Sequence, residues 1–466
     1  MKKSLAFVAI LVFALVMAAC AGGGGTPTAP PAQAADDAPA ATTDDTAAAP
    51  ADDVQDEPLP FVEITVPHYK TGDNVGAMYF LPRVERFNER YEGRFRINVE
   101  PIPQGLYGDQ IQQLAAQRML PPLVFGPVDR VWFTDVVISQ DMFVDLTPVY
   151  ERAPALRNYM DPRTYDYNVR NGQIVSMPTI VQRPIGMYYN RELWTPSRRV
   201  HDMSWRDVAA ELDGAHIAFM TAENSWTTVL PLTSLIAVEP GGAQLLTDGV
   251  VDWITDFNQP PLIAAFGELQ YLLMNHAQPN AIGAPYAEAA NSFFNLGSAI
   301  ISNGSWMIGD ILEGQDSWWG DNFNPDTIGG TVLPGNVAVG GDPFGFGYWI
   351  PSTATPEEVE LAMAYMVFMM ETEELEAMML LVGGSIPGFT HTQEFLTARG
   401  ENRLMAEYQG AIDGNTIIVP NFLGAVVPSI AEHDLGVLLP LLANGTMTPE
   451  EFAEELTLRT EEAAEW

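Results

Sequence analysis

Beyond about residue 60, apolar and polar positions follow two periods that alternate along the chain. Residues 61–66 alternate apolar and polar side chains, which predicts a strand, and residues 76–91 have the spacing of a helix. The same order recurs with a strand at 96–100, a helix at 107–118 and a short apolar run at 123–125. Strands and helices in this order predict βαβ units, a mainly parallel sheet and ligands at the carboxyl ends of its strands.

The alternation continues in the second half of the chain. Residues 216–220 have a strand pattern, and residues 262–275 have a helical one. Thr355, followed by proline, is typical of the start of a helix and predicts one over 357–370. An acidic helix is predicted at 449–464. The pattern therefore indicates an α/β protein over its whole folded length.

The N-terminus has the features of a secretory signal. Two lysines precede an apolar run at 5–19, which is too short to span a bilayer comfortably and ends in small residues before Cys20. The tetrapeptide 17–20 resembles a bacterial lipobox, in which cleavage leaves the cysteine as the first residue and its sulfur carries a lipid. We expect a signal peptide at 1–19 and an acylated Cys20; the alternative is an unlipidated cysteine in an ordinary signal region. Cys20 is the only cysteine, so no disulfide can form within the chain.

The composition changes again at about residue 60. Residues 20–60 are mainly alanine, proline, glycine, threonine and aspartate, and they offer too little apolar surface to offset the entropy lost on ordering. We expect a disordered, acidic tether that holds the folded part away from the membrane. Residues 61–466 are too many for one ordinary hydrophobic core, which predicts two lobes.

The charge of the chain excludes two classes of partner. There are 60 acidic residues against 22 Lys and Arg, a formal net charge of −38 at pH 7, and Lys70 is the only lysine after the signal peptide. This surface repels nucleic acid and anionic lipid headgroups, so neither is expected as a direct partner. The expected link to the membrane is the N-terminal lipid.

A series of short motifs begins near residue 120. Residues 120–148 contain a helix end, the apolar run 123–125, a loop with Asp129 and Arg130, and the sequence FVDLTP at 143–148. This arrangement resembles the first lobe of the family 1 extracellular solute-binding proteins, which include the maltose-binding type. Further motifs resembling that family follow in its order, at 171–178, 187–193, 297–306, 333–334, 345–351 and 384–387. The resemblance covers nearly all of the folded part.

The resemblance implies an α/β, two-lobed periplasmic-binding-protein-like fold of type II, with a hinge and an interlobe cleft. Lobe 1 would comprise 61–174 and 340–390, and lobe 2 would comprise 175–339 and 391–466. The implied function is to capture a carbohydrate, a mono- or oligosaccharide, and to deliver it to the permease subunits of an ABC transporter. The implied state is a monomer without a cofactor, held by its lipid at the extracytoplasmic face of the cell membrane.

Sugars present flat apolar faces edged by hydroxyl groups, so a sugar site needs aromatic rings beside planar polar groups. Trp306 follows a turn sequence and matches a residue that stacks on a sugar ring in the family. Glu223 and Trp226 match positions where the maltose-binding type places an acid and an aromatic ring. By the same resemblance, Asp129 and Arg130 would contact sugar hydroxyls. The alternatives are tryptophans packed on a lobe surface and a solvated Asp129–Arg130 ion pair.

Further candidates follow the first strand and the Asp129 loop. His68, Tyr69 and Lys70 come directly after the first predicted strand, where an open α/β sheet places its ligands, although an exposed loop could have the same sequence. Trp132 either lines the cleft or packs beneath its loop. Tyr189 belongs to the motif at 187–193, whose role in the family is largely structural, and is a secondary candidate.

Common catalytic motifs are missing from the sequence. It has no His-Glu-x-x-His, no Gly-x-Ser-x-Gly and no Gly-x-x-x-x-Gly-Lys, and its six histidines are scattered. The run at 322–326 lacks the glycine and the closing glutamate of a calcium loop, so no metal is expected. We predict a binding protein and not an enzyme. Two alternatives stay open, a sensory or adhesive lipoprotein on the same fold and a secreted glycoside hydrolase that uses two of the many carboxylates.

Overall fold

The strands and helices described here come from a computed structural model of the chain. The described ranges are 60–72, 74, 76–126, 132–159, 168–177, 181–314, 318–340, 347–386 and 388–464. All of these residues belong to one compact unit, Leu59–Trp466.

The elements alternate much as the sequence predicts. The strands are β1 (Val62–His68), β2 (Phe95–Pro101), β3 (Val124–Phe125), β4 (Val169–Arg170), β5 (Gln173–Ile174), β6 (Gly186–Asn190), β7 (Ile217–Ala218), β8 (Ile300–Asn303), β9 (Ile328–Thr331), β10 (Val337–Gly340), β11 (Tyr348–Trp349) and β12 (Ile417–Pro420). The α-helices are α1 (Ala77–Arg90), α2 (Gln104–Ala116), α3 (Thr147–Arg152), α4 (Trp205–Glu211), α5 (Trp226–Val238), α6 (Gly242–Val251), α7 (Pro260–His276), α8 (Tyr286–Phe294), α9 (Met307–Glu313), α10 (Pro356–Met369), α11 (Thr372–Val382), α12 (Gln393–Glu401), α13 (Arg403–Gly410), α14 (Leu435–Ala443) and α15 (Pro449–Ala464). Each helix that the sequence predicts is therefore present, with its ends shifted by at most a few residues.

β1, α1 and β2 form the first βαβ unit. The strands pair in parallel, from Val62 opposite Phe95 to His68 opposite Pro101. α1 connects them and buries an apolar face made by Tyr79, Phe80, Val84 and Phe87. β1 runs two residues beyond the predicted 61–66, so His68 is the last residue of the strand and not part of the loop.

The largest sheet is mixed, with strand order β7-β8-β6-β9. β7 and β8 are parallel, whereas β6 is antiparallel to both β8 and β9. The expectation of a mainly parallel sheet is wrong here, and β3 and β11 also pair antiparallel. The reason is that β8, α9 and β9 form a crossover unit with parallel strands, and β6 inserts between those strands from an earlier stretch of the chain. The alternation of strands and helices predicts the relative direction of strands that follow one another in the chain. It does not predict where a strand from a distant stretch inserts.

Buried side chains form three clusters, and two of these come from the same stretches of chain and are together called the second core. The first core contains buried residues between 64 and 181 and between 348 and 395. The second core contains buried residues between 185 and 339 and between 404 and 456. Each core is thus built from two separated stretches of chain. Trp306 is partly buried and packs against both cores.

Hydrogen bonds hold the two cores together and fix the segment 181–185, where the chain passes from the first core to the second. Gln182 and Ser385 pair through their backbones, and Ile185 and Val339 form a second antiparallel bridge with N···O distances of 2.7 and 2.9 Å. Ser305, next to Trp306, donates its hydroxyl to the Val382 carbonyl over 2.6 Å. The turn that bears Trp306 is therefore tied to the end of α11 in the first core.

α5 is apolar on nearly all of its faces because the second core surrounds it. Its residues 227–237 are all buried. In the ranges given above, no single helix is long and apolar enough to cross a membrane; α5 and α6 pass that test only together, as a pair bent by 118°.

Candidate ligand-binding site

Trp226 and Trp306 lie side by side at one edge of the mixed sheet. Their ring centroids are 6.0 Å apart, with an angle of 39° between the ring planes. Both rings are partly buried. They meet because β7 and β8 are adjacent and parallel, so the segments that leave their carboxyl ends reach the same edge. The sequence predicted each tryptophan as a ligand contact separately, and the fold brings the two together.

The turn after β8 fixes the ring of Trp306. Asn303 accepts a hydrogen bond from the Gly304 N–H over 2.8 Å and donates its side-chain amide to the Tyr286 hydroxyl over 3.0 Å. Tyr188 donates its hydroxyl to the Gly304 carbonyl over 2.8 Å. The indole covers Gly304 so closely that an added Cβ would lie 2.3 Å from the ring. Glycine is therefore required for this position of Trp306.

His68 lies beneath the loop that follows β1. Its side chain is fully buried, and its ring packs 4.5 Å from that of Phe125. Nδ1 accepts the backbone N–H of Lys70 over 3.0 Å, and Nε2 lies 3.3 Å from the Tyr348 hydroxyl. Burial, with a smaller contribution from the Lys70 charge, lowers the pKa of His68 to about 2, so the ring is neutral. In this arrangement His68 holds the loop backbone through its bond to Lys70.

Tyr69 and Lys70 follow that histidine in the chain and are partly buried. The Tyr69 ring is edge-on to Tyr107 at 5.5 Å and lines a pocket of about 380 Å³ with Pro103 and Gln104. The pocket is at the carboxyl edge of β1 and β2, where the sequence predicted a ligand. The Lys70 ammonium lies 4.1 Å from the centroid of the Phe125 ring, within cation–π distance.

Residues from three parts of the fold change the pKa of Tyr69. Burial raises its pKa, as do Tyr79, Tyr107 and Glu432, whereas the positive charge of Arg183 lowers it. Arg183 belongs to the segment between the cores, and Glu432 to the π-helical turn Ile430–Asp434 of the second core. The Arg183 guanidinium also lies 6.0 Å from the centroid of the Trp306 ring. Arg183 is thus near both the first-core loop and the tryptophan pair.

Comparison with known proteins identifies the family. Residues 83–401 match the sequence profile of the bacterial extracellular solute-binding proteins. The chain belongs to this family. It is therefore a binding protein and not an enzyme, as the lack of catalytic motifs predicted. No curated protein sequence matches it significantly.

Several solved structures share the fold of this solute-binding protein over most of its length. A chitin oligosaccharide binding protein is 17% identical with a TM-score of 0.65, covering 86% of this chain and 99% of its own. The solute-binding protein RafE in complex with raffinose is 16% identical with a TM-score of 0.60, at 85% and 98% coverage. Maltose-bound MalE3 of T. maritima is 14% identical with a TM-score of 0.62, at 86% and 99% coverage. The predicted α/β periplasmic-binding-protein-like fold is confirmed.

Of the other predicted site residues of this solute-binding protein, three lie in the described ranges and three outside them. Trp132 is partly buried and packs against the first core. Glu223 is exposed in the loop before α5, with a φ of 55°. Tyr189 donates its hydroxyl to Glu407 of α13 over 3.3 Å. Asp129, Arg130 and Cys20 are outside the described residues.

Asp310 is a site candidate that the sequence did not single out. It lies one helical turn after Trp306, in α9. Its Oδ2 is buried and has no hydrogen-bond partner in the part of the chain that the structure describes. Burial raises its pKa to about 7, so the carboxyl is partly protonated near neutral pH.

The double tryptophan near residue 318 packs onto the second core. Trp318 stacks on Phe294 at 5.9 Å, and Trp319 donates its indole N–H to the Asp310 carbonyl over 2.9 Å. These contacts make the pair a cap on the second core. Within the described residues, no group of three or more His, Cys, Asp or Glu could hold a metal ion.

Proposed function

We propose that this protein captures a carbohydrate outside the cytoplasm and delivers it to the permease subunits of an ABC transporter. The observation that carries the proposal is the tryptophan pair, since Trp226 and Trp306 present partly buried rings 6.0 Å apart. Indole faces suit the apolar C–H faces of a sugar ring. Proteins of the same fold with a chitin oligosaccharide, raffinose or maltose in their descriptions support a carbohydrate ligand.

The ligand would bind between two lobes and favour their closure. The separate cores support two lobes, which we propose at 61–174 with 340–390 and at 175–339 with 391–466; residues 175, 177, 181 and 395, at the edges of the second lobe, pack in the first core. Trp306 packs against both cores, so a ligand on its ring would lie at the junction of the two lobes. The shift toward the closed form would be set by the difference in affinity between the two forms.

Polar groups around the rings would bind the sugar hydroxyls. Tyr69, Lys70 and Arg183 supply donors on the side of the first core, and Asp310 supplies a carboxyl beyond Trp306. His68 would act as a positioning residue, since its neutral ring accepts the Lys70 N–H. Asp129, Arg130, Trp132 and Glu223 are proposed as further contacts on the resemblance alone.

A lipid on Cys20 would keep the protein beside its transporter. The apolar run at 5–19 and the small residues before the cysteine support this assignment. A single acyl chain binds a membrane only marginally, so the proposal includes more than one chain on the processed N-terminus. The extracellular family assignment is consistent with this location.

The proposal is tested by thermal unfolding of the purified protein with a carbohydrate panel and, in parallel, peptides and polyols. A ligand present at 100 times its Kd stabilises the folded state by about 2.7 kcal/mol, which raises the Tm by a few degrees. We expect at least one carbohydrate to do so and to be recovered unchanged after prolonged incubation. A Tm raised only by peptides or polyols, or hydrolysis of the sugar, would refute the proposal.

A further inference from the structure

Lys70 is an unusual residue in this chain. It is the only lysine beyond residue 3, and the chain carries 60 acidic residues. Even so, neither Lys70 nor Arg183 forms an ion pair with any of the described residues. Both are partly buried. A cation removed from water without a counterion costs free energy, so this arrangement needs an explanation.

The Lys70 side chain is held in place by its surroundings. Its backbone N–H donates to His68, which fixes the start of the side chain. Its stem packs on Gly76, where an added Cβ would lie 2.6 Å from Lys70 Cγ. Its ammonium lies 4.1 Å from the ring centroid of Phe125 and 5.0 Å from that of Tyr79. The ammonium is therefore held beside these two rings, next to Tyr69, and is not free to turn into bulk solvent.

Arg183 approaches from the segment between the cores. Its stem packs on Gly384, where an added Cβ would lie 2.6 Å from Arg183 Cγ. Its guanidinium points toward the tryptophan pair, 6.0 Å from the centroid of Trp306. The two cations thus flank the same region, one beside the pocket of Tyr69 and one beside the stacking ring.

Three positive charges surround Tyr79 and make the local potential positive. Burial would raise the pKa of this phenol, but the charges of Lys70, Arg183 and Arg83 and a hydrogen bond with Lys70 outweigh it and lower the pKa to about 8. Arg83 is already paired with Glu374. Glu432 brings one carboxylate near Tyr69 from the second core. A positive region inside so acidic a protein attracts anions and not cations.

We propose that the ligand is an acidic carbohydrate, whose carboxylate, sulfate or phosphate group is bound by Lys70 and Arg183. This inference rests on the proposed function and specifies its ligand. The anion supplies a counterion that none of the described residues provides, and its hydrogen bonds to the two cations are charge-assisted. The tryptophan pair binds the apolar faces of the same molecule.

The test is isothermal titration of the purified full chain with matched oligosaccharides. The panel contains galacturonate oligosaccharides, the corresponding neutral galactose oligosaccharides, and their sulfated and phosphorylated forms, which distinguish the three sources of the anion. We expect one acidic member to bind at least about tenfold more tightly than its neutral match. Added salt should weaken binding of the acidic member more than that of the neutral one.

Substitutions then locate the anion. Lys70→Met keeps most of the stem and removes the charge; it should weaken binding of the acidic member by about 10- to 100-fold and that of the neutral member by less than about threefold. Lys70→Arg should retain most of the affinity. Arg96→Gln, which removes an exposed charge from β2, should leave both affinities unchanged. If Lys70→Met unfolds, Arg183→Gln serves in its place.

Two outcomes would overturn the inference. They also show whether only the acidic ligand is wrong or whether carbohydrate capture itself is wrong. If neutral oligosaccharides bind as tightly as acidic ones and Lys70→Met binds both like the wild type, the ligand is not anionic, while carbohydrate capture stands. If no carbohydrate in this panel or in the thermal panel binds, both proposals fail.

Discussion

Gly384 lies directly against the side chain of Arg183. An added Cβ at Gly384 would come 2.6 Å from Arg183 Cγ and 2.9 Å from the carbonyl oxygen of Gln182. The φ of Gly384 is +104°, which favours glycine. The next residue, Ser385, exchanges backbone hydrogen bonds of 2.8 and 2.9 Å with Gln182. This contact therefore joins the segment that leaves the first core at residue 181 to the turn after α11 and sets the position of a proposed ligand-binding arginine.

Substitution of Gly384 by alanine tests this contact. The variant suffers both an unfavourable φ and overpacking, so we expect it to lose about 2 to 4 kcal/mol of unfolding free energy. Gly388→Ala is the control, because Gly388 also has a positive φ of +76° but nothing within 4 Å of an added Cβ. It should lose about 1 to 2 kcal/mol. Equal losses in urea titrations would show that the contact with Arg183 contributes nothing.

Alanine at Gly304 should displace the ring of Trp306. The added Cβ would lie 2.3 Å from the indole, so the ring must turn away, at a cost of about 1 to 3 kcal/mol in stability. Near-ultraviolet circular dichroism should change, and ligand affinity should fall. Gly105→Ala is the control, since nothing lies within 4 Å of that position in α2 and alanine favours a helix. If Gly304→Ala binds the ligand with unchanged affinity, the turn after β8 does not belong to the binding site.

Glu374 is a buried carboxylate between two arginines of α1. It pairs with Arg83 at 3.4 Å and with Arg86 at 2.7 Å, and only 6% of its side chain is exposed. Glu374→Gln leaves buried positive charge without a counterion, so we expect a loss of about 3 to 5 kcal/mol in denaturant unfolding.

The neighbouring pair of Arg90 and Glu371 provides the control for that substitution. Glu371 is 38% exposed, so Glu371→Gln should cost less than about 1 kcal/mol. Similar losses in the two variants would contradict a special role for the buried carboxylate.

Asp310 should make stability depend on pH. Its pKa is about 7 in the folded state against 3.8 for the ordinary group, so the folded state binds more protons between these values. The unfolding free energy therefore falls as the pH rises from about 4 to 7. The Asp310→Asn side chain cannot ionise, so the variant escapes this loss. The difference in unfolding free energy between the variant and the wild type should grow in favour of the variant by about 2 to 4 kcal/mol between pH 4 and pH 8. Parallel pH profiles for the two proteins would contradict the assignment.

The spacing of apolar and polar residues predicted the helices and strands, because each of these depends mainly on residues close in sequence. The amphipathic spacing of α1 and the acidic run of α15 are properties of single segments. The direction of β6 could not be predicted, since it depends on where strands from distant stretches insert. For the same reason, the sequence could flag Trp226 and Trp306 separately but could not predict the pairing of β7 with β8 that brings them together.

The burial of His68 could have been predicted from the sequence. Ile64 and Val66 point inward from β1, and the same period of two places His68 on the buried face. His68 could therefore have been assigned to the interior. Arg183 and Asp310 had no such signal, because their positions depend on the pairing between segments and on the path of the chain after β8.

Binding of a sugar on the tryptophan pair is the central claim, and isothermal titration of Trp306→Ala tests it most directly. With the carbohydrate that gives the largest thermal shift, the wild type should bind one molecule per chain, and Trp306→Ala should lose about 1 to 3 kcal/mol of binding free energy. Trp253→Ala, in the loop after α6, should bind like the wild type. A Trp306→Ala titration that overlays the wild-type curve would contradict the account.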